Sequence, residues 1–254
     1  MGPHRLHRPA TGRDDVLPGI LCLHGGGWVL GNSGTHGRLV RELAVGVRVA
    51  VLFVEYERSP EAQYLVAIDQ AYAAARWVMR HGPAEGIDAS RLAIAGDAVG
   101  GSMTAAAILA NQRGDVRFVH QSLYYPVMDA AQDTASYCEF ADGPFRTAKA
   151  MAWYWDAYVP DLSSRSAITV SPLRARFGDL KDLPPAFVIV EENDVLRDEA
   201  EAYARRLTEA GLPTTVRYHG ILHDFMMLNP LRETQAATAA IERHHVLPTA
   251  LAVA

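Results

Sequence analysis

Between an apolar run, Leu92-Ala93-Ile94-Ala95, and a small-residue segment through Met103, Ala106 and Leu109 stands Gly96-Asp97-Ala98-Val99-Gly100-Gly101. The run reads as a buried strand and the segment as a helix. The residues between must therefore turn the chain sharply from one into the other. Glycines at 96 and 100 suit such a turn, because a strand doubling back into a helix leaves no room for Cβ atoms there. A strand–turn–helix unit of this kind commits the chain to layers of sheet and helix.

The rest of the sequence repeats that alternation. Short apolar runs bounded by turn residues fall at 20–23, 50–56, 92–95, 118–125, 186–191 and 214–218, and read as strands. Leu65, Ile68, Tyr72, Ala75 and Met79 lie on one face of a helix, and Tyr203, Leu207 and Ala210 repeat the pattern before a stop at Gly211. Strands alternating with helices predict an α/β fold with a mostly parallel sheet covered on both faces. The segment 127–172 breaks the rhythm. It carries Trp153, Tyr154, Trp155 and Tyr158, which suit either a helix burying aromatics on the core or a helical cap over a pocket mouth. The chain is expected to form one domain with that segment as its insertion.

At 254 residues, 49% of them hydrophobic, the chain can bury a full core as one domain. A net charge of −5 offers no basic stripe, so nucleic acid is not an expected partner. No apolar leader opens the sequence and no apolar stretch suits a membrane span, so a cytoplasmic, membrane-free location is expected. Cys22 and Cys138 allow at most one bridge, and Cys22 sits in a strand pattern as a buried thiol. The histidines, including the pair His244-His245, lack zinc spacing, so no metal and no cofactor is expected.

His24-Gly25-Gly26-Gly27-Trp28 follows the first apolar run directly. Consecutive glycines let main-chain N–H groups turn toward a ligand, which is what an acyl-transfer site needs to hold a developing oxyanion. Downstream, Asp194 follows the run at 186–191 and His223 follows that at 214–218. Positions 98, 194 and 223 thus each stand beyond the carboxyl end of a strand, where active sites of such sheets gather.

These motifs resemble those of the hormone-sensitive-lipase-like esterases, bacterial esterase family IV, of the α/β-hydrolase superfamily. The match is carried by HGGGW at 24–28, GDAVGG at 96–101 against G-D-S-A-G-G, and Tyr56-Glu57-Arg58-Ser59-Pro60-Glu61. It continues in Ser171-Pro172-Leu173, in Asp194-Val195-Leu196-Arg197-Asp198-Glu199, and in Gly220-Ile221-Leu222-His223-Asp224-Phe225. The resemblance implies an α/β-hydrolase fold, Asp194 as triad acid, His223 as base, and an oxyanion hole from the N–H groups of Gly26, Gly27 and Val99. Trp28, Trp153, Tyr154 and Trp155 are the candidates for contact with substrate. His24 is expected to stiffen the glycine loop, and Asp97 to serve as a structural hydrogen-bond partner.

The chain departs from the family at the centre of the motif, where Ala98 replaces the nucleophilic serine. An alanine forms no acyl-enzyme, so the chain as given should bind an ester and barely turn it over. A deliberate serine-to-alanine change and a natural loss both account for it, and the retained acid, base and glycine frame favour the first. Val99 for the family's alanine narrows the room beside the oxyanion, and Asp224 replaces a glycine. Only 23 residues precede His24, so an exposed sheet edge, and with it a homodimer, is expected unless another segment covers it. The function expected is carboxylic-ester hydrolysis on short or medium acyl esters or an acylated small molecule. Acyl transfer or lactone opening by the same triad, and small-molecule binding without turnover, are the alternatives.

Overall fold

The computed structural model describes residues 4–10, 15–220, 223–228 and 251. Leu17–Leu23 (β2), Ala50–Val54 (β3), His120–Tyr124 (β5) and Ala186–Glu191 (β6) are buried at every position, as expected of strands covered on both faces. Ile87–Asp97 (β4) is buried continuously from Leu92 to Asp97, and Thr214–His219 (β7) closes the far side. These six pair in parallel, and the short strand His4–His7 (β1) adds antiparallel to β3, giving the order β1-β3-β2-β4-β5-β6-β7.

β1 is the main difference from the sequence reading. It is a segment that covers one edge of the sheet, pairing with β3 so that His4 lies opposite Val54 and His7 opposite Val51. Strand ends also shift. β2 begins at Leu17, β4 begins at Ile87, and the strand expected over 118–125 is confined to His120–Tyr124.

Alternate residues of the strands feed two cores. Leu21, Leu23, Leu52 and Ile94 belong to one face, whereas Ile20, Cys22, Val51, Phe53, Ala93 and Ala95 belong to the other. Helices Gly37–Val47 (α1) and Val66–His81 (α2) supply cover, α2 burying Ile68, Ala71, Tyr72, Ala75 and Val78. Leu65, placed on that face by sequence, precedes the helix and is exposed. After β4 come two short helices, Val99–Ser102 (α3) and Ala105–Arg113 (α4), where one was expected.

The stretch between β5 and β6 contains Ala135–Glu139 (α5), Ala148–Tyr158 (α6) and Phe177–Leu180 (α7). Arg197–Glu209 (α8) follows β6, burying Tyr203 and Leu207 and ending before Gly211 at φ +85°. Among the described residues no helix is long and apolar enough to cross a membrane. Cys22 is buried and Cys138 exposed, both as free thiols. His244 and His245 lie outside the described residues.

Candidate active site

The elbow is built by exclusion of side chains. Ala98, between β4 and α3, has φ +48° and ψ −114°, a left-handed region in which a residue with a Cβ is strained. The tightness comes from Gly100. A Cβ there would lie 2.0 Å from the carbonyl oxygen of Leu23 at the end of β2. The turn thus brings the start of α3 against the strand that launches the glycine loop. Ala98 itself is fully buried, in the same apolar cluster as Tyr125 and Phe225.

The glycine loop runs through Gly26 at φ +104°, Gly27 at +63° and Trp28 at +60°. Gly27 must lack a side chain, since a Cβ would meet the Tyr154 ring at 2.2 Å. Among the described residues nothing accepts a hydrogen bond from the N–H groups of Gly26, Gly27 or Val99. Three main-chain donors therefore remain free for a ligand.

Asp97 fastens this loop to the elbow. Its Oδ1 accepts from the N–H of Gly25 at 3.1 Å, and its Oδ2 lies 3.3 Å from His36 Nε2. Both side chains are buried. Burial alone would push each toward neutrality. For Asp97 burial is the largest single influence, yet the charge and hydrogen bond of His36, with His24 and the Gly25 N–H, together hold the carboxyl below its ordinary value; for His36 burial is again the largest, and the charge and hydrogen bond of Asp97, with Asn32 and Asp224, together hold the imidazole above its own. His24 donates from Nδ1 to the carbonyl of Gly25 at 2.8 Å, and its ring stacks on Tyr56 at 4.1 Å. Burial, with the neighbouring His36 charge, lowers His24 to about 4, so it stays neutral. The Tyr56 hydroxyl donates to the His24 carbonyl.

Beyond β6 and β7, Asp194 and His223 come together. Nδ1 of His223 lies 2.5 Å from Asp194 Oδ2, with both side chains 1% exposed. Asp194 Oδ1 accepts from the N–H of Leu196 at 3.1 Å. Its loop is braced from behind, since Ser136 Oγ donates to Val195 O and Glu199 accepts from the N–H of Met128. Burial raises the Glu199 carboxyl well above its ordinary value. The other ring nitrogen of His223, Nε2, has no hydrogen-bond partner among the described residues and lies 3.4 Å from Asp224 Oδ1; the ring packs 4.8 Å from Tyr125.

The predicted aromatic contacts divide. Trp28 and Trp155 are buried at 1% and 0% exposure, with centroids 4.6 Å apart, and Trp28 stacks on Tyr158 at 4.2 Å. This face of α6 packs its aromatics against the glycine loop. Trp153 is 57% exposed on the opposite side. Tyr154 alone of the four lines a cavity of about 280 Å³, together with Gly26, His36, Phe145, Arg146 and Asp224. A larger hollow of about 1200 Å³ runs along the β1–β3 edge beside Arg5, Glu55 and Arg58; neither hollow is lined by Ala98 or His223, but only the smaller one reaches the glycine loop at Gly26 and Asp224 beside the base.

His36 and Arg146 are absent from the sequence reading. His36 meets Asp97 across 61 positions and Arg146 meets Asp224 across 78, so neither pair leaves a local spacing. The only sequence trace of such partners is polar residues destined for burial.

A parallel sheet, a strained elbow after a central strand, and a buried Asp–His pair beyond two neighbouring strands together define an α/β hydrolase. The chain belongs to the alpha/beta hydrolase fold family, whose model matches residues 20–227, and within it to the carboxylesterase hydrolases of the hormone-sensitive-lipase-like kind. Carboxylesterase NlhH of Mycobacterium tuberculosis is 37% identical over 95% of this chain and 78% of its own. Ethyl acetate hydrolase of Pseudomonas putida is 36% identical over 91% and 73%. Among solved structures, a thermostable esterase from Pseudomonas putida ECU1011 superposes with a TM-score of 0.95 at 47% identity, covering 98% of this chain and 78% of that one.

Proposed function

We propose that this site is that of a carboxylic-ester hydrolase in which position 98 is the nucleophile's place. A serine there attacks the ester carbonyl, His223 takes its proton and returns it to the leaving alcohol, and Asp194 fixes the imidazole tautomer and steadies its charge. The N–H groups of Gly26, Gly27 and Val99 hold the oxyanion. The single observation that carries this reading is the buried 2.5 Å contact between His223 Nδ1 and Asp194 Oδ2, with Nε2 left unpartnered. An imidazole so oriented has its second nitrogen available as a base. The cavity beside Gly26, about 280 Å³, favours short acyl esters over long ones.

Ala98 has no lone pair, so the chain as it stands binds ester without forming an acyl-enzyme. The test is Ala98→Ser assayed on short p-nitrophenyl esters. Turnover should rise by about a thousandfold or more over the alanine chain. No gain from a folded serine variant would overturn the hydrolase reading.

The alanine itself favours a second reading, a binding protein that does not turn over its ligand. That reading requires tight small-molecule binding by the alanine chain and no hydrolysis by Ala98→Ser.

A further inference from the structure

The cavity beside the glycine loop contains one cation that ester hydrolysis does not call for. Arg146 is 8% exposed and forms part of the cavity wall. A guanidinium carries five N–H donors, and when buried it ordinarily meets a carboxylate at about 2.7–2.9 Å, often through two parallel bonds. Arg146 has nothing of that quality. One terminal nitrogen lies 3.4 Å from Asp224 Oδ2, the other lies 3.6 Å from Met151 Sδ, and the guanidinium carbon stands 5.6 Å from the Tyr154 ring centroid. Its Nε has no hydrogen-bond partner among the described residues.

Asp224 is only a partial counter-ion. Its other oxygen, Oδ1, has no hydrogen-bond partner among the described residues and stands 3.4 Å from His223 Nε2. A desolvated cation with long contacts is costly to keep, and an orphaned buried donor in a native fold calls for a ligand or another specific cause. The backbone just before it is strained as well: Phe145 has φ +71°, and its ring is 57% exposed at the cavity.

We propose that Arg146 is an anion subsite, and that the esters this site takes carry a carboxylate a few bonds from the scissile carbonyl. The carboxylate pairs with the Arg146 guanidinium while the ester group lies at the glycine loop, since Gly26 and Arg146 line the same cavity. The inference rests on the ester-hydrolase reading for its chemistry, but not for its binding.

Two measurements separate the two. In Ala98→Ser, kcat/KM is compared for half-esters of dicarboxylic acids, such as monoethyl succinate and monoethyl glutarate, and for their uncharged ω-amides. The half-esters should be preferred about tenfold or more. Arg146→Met should reduce that preference at least about tenfold, with Arg146→Lys retaining part of it. Equal rates for half-ester and amide would overturn the subsite and leave Arg146 as the partner of Asp224 alone. Calorimetry on the alanine chain reads the same preference as a ratio of Kd values with no turnover needed. Should Ala98→Ser fail even on p-nitrophenyl acetate, tighter binding of the half-ester still supports the subsite, and equal binding still removes it.

Discussion

The carboxylate of Asp97 and the amide of Gly25, 72 positions apart, are joined by a buried 3.1 Å hydrogen bond that ties the elbow to the glycine loop. The second carboxylate oxygen faces His36. Asp97→Ala removes both contacts and strands His36 without a counter-charge. Breaking a buried pair this way costs about 3–5 kcal/mol. Asp97→Asn keeps an oxygen for Gly25 and should cost less, about 1–2 kcal/mol. Urea denaturation of the two variants checks the order, and kcat/KM in the Ala98→Ser background should fall further for alanine. Equal stabilities would mean that the clamp contributes nothing.

Asp194 holds the Nδ1 side of His223, which leaves the lone pair on Nε2. Asn at 194 presents an amide that can donate to Nδ1, which moves the ring proton to Nε2 and removes the base. In the Ala98→Ser background Asp194→Asn should lower kcat by about 10⁴ with the fold intact, as measured for the equivalent change in a serine protease. Retained turnover in a folded variant would argue against Asp194 as the acid.

Much of this was legible in the sequence because it is local. The glycine loop, the elbow and the strands at 186–191 and 214–218 each declare themselves within a few residues. What escaped depends on distant partners. β1, His4-Arg5-Leu6-His7, has no apolar run because it is a four-residue edge strand paired on one side only. His36 and Arg146 gain their meaning from Asp97 and Asp224. For Trp28 and Trp155 the sequence is silent on direction, because aromatic residues near a site look alike whether they face a ligand or each other, and here they face each other at 4.6 Å.

The glycines make a paired prediction. A methyl group at Gly100 would meet β2 backbone at 2.0 Å, and neither β2 nor α3 can retreat without separating the loop from the elbow. Gly100→Ala should therefore destabilise by about 4 kcal/mol or more, or prevent folding. At Gly178 in α7 nothing among the described residues lies within 4 Å of such a methyl. Gly178→Ala should stabilise by about 0.5–1 kcal/mol through helix propensity. Thermal melts of the two check both signs.

Stability should fall on acidification between about pH 6.5 and 4. Burial lowers His120 to about 4, and among the described residues neither of its ring nitrogens has a hydrogen-bond partner; burial and then His36 also lower His24 to about 4. Both stay neutral in the fold, whereas in the unfolded chain they take up protons below their ordinary value of 6.5. The unfolded state therefore binds more protons across that window, and each histidine withdraws at most about 3 kcal/mol by its lower end. His36 has the opposite sign. Its value is raised, so its contribution is complete below 6.5 and lost as pH climbs through the folded value. Glu199, also raised, stabilises below its ordinary 4.5 and loses that contribution as pH rises through its folded value. A comparison with His120→Leu cancels both. Urea denaturation from pH 4.5 to 7.5 should show the variant losing about one proton's worth of slope on the acid side. An unchanged slope would mean that His120 does not titrate with unfolding.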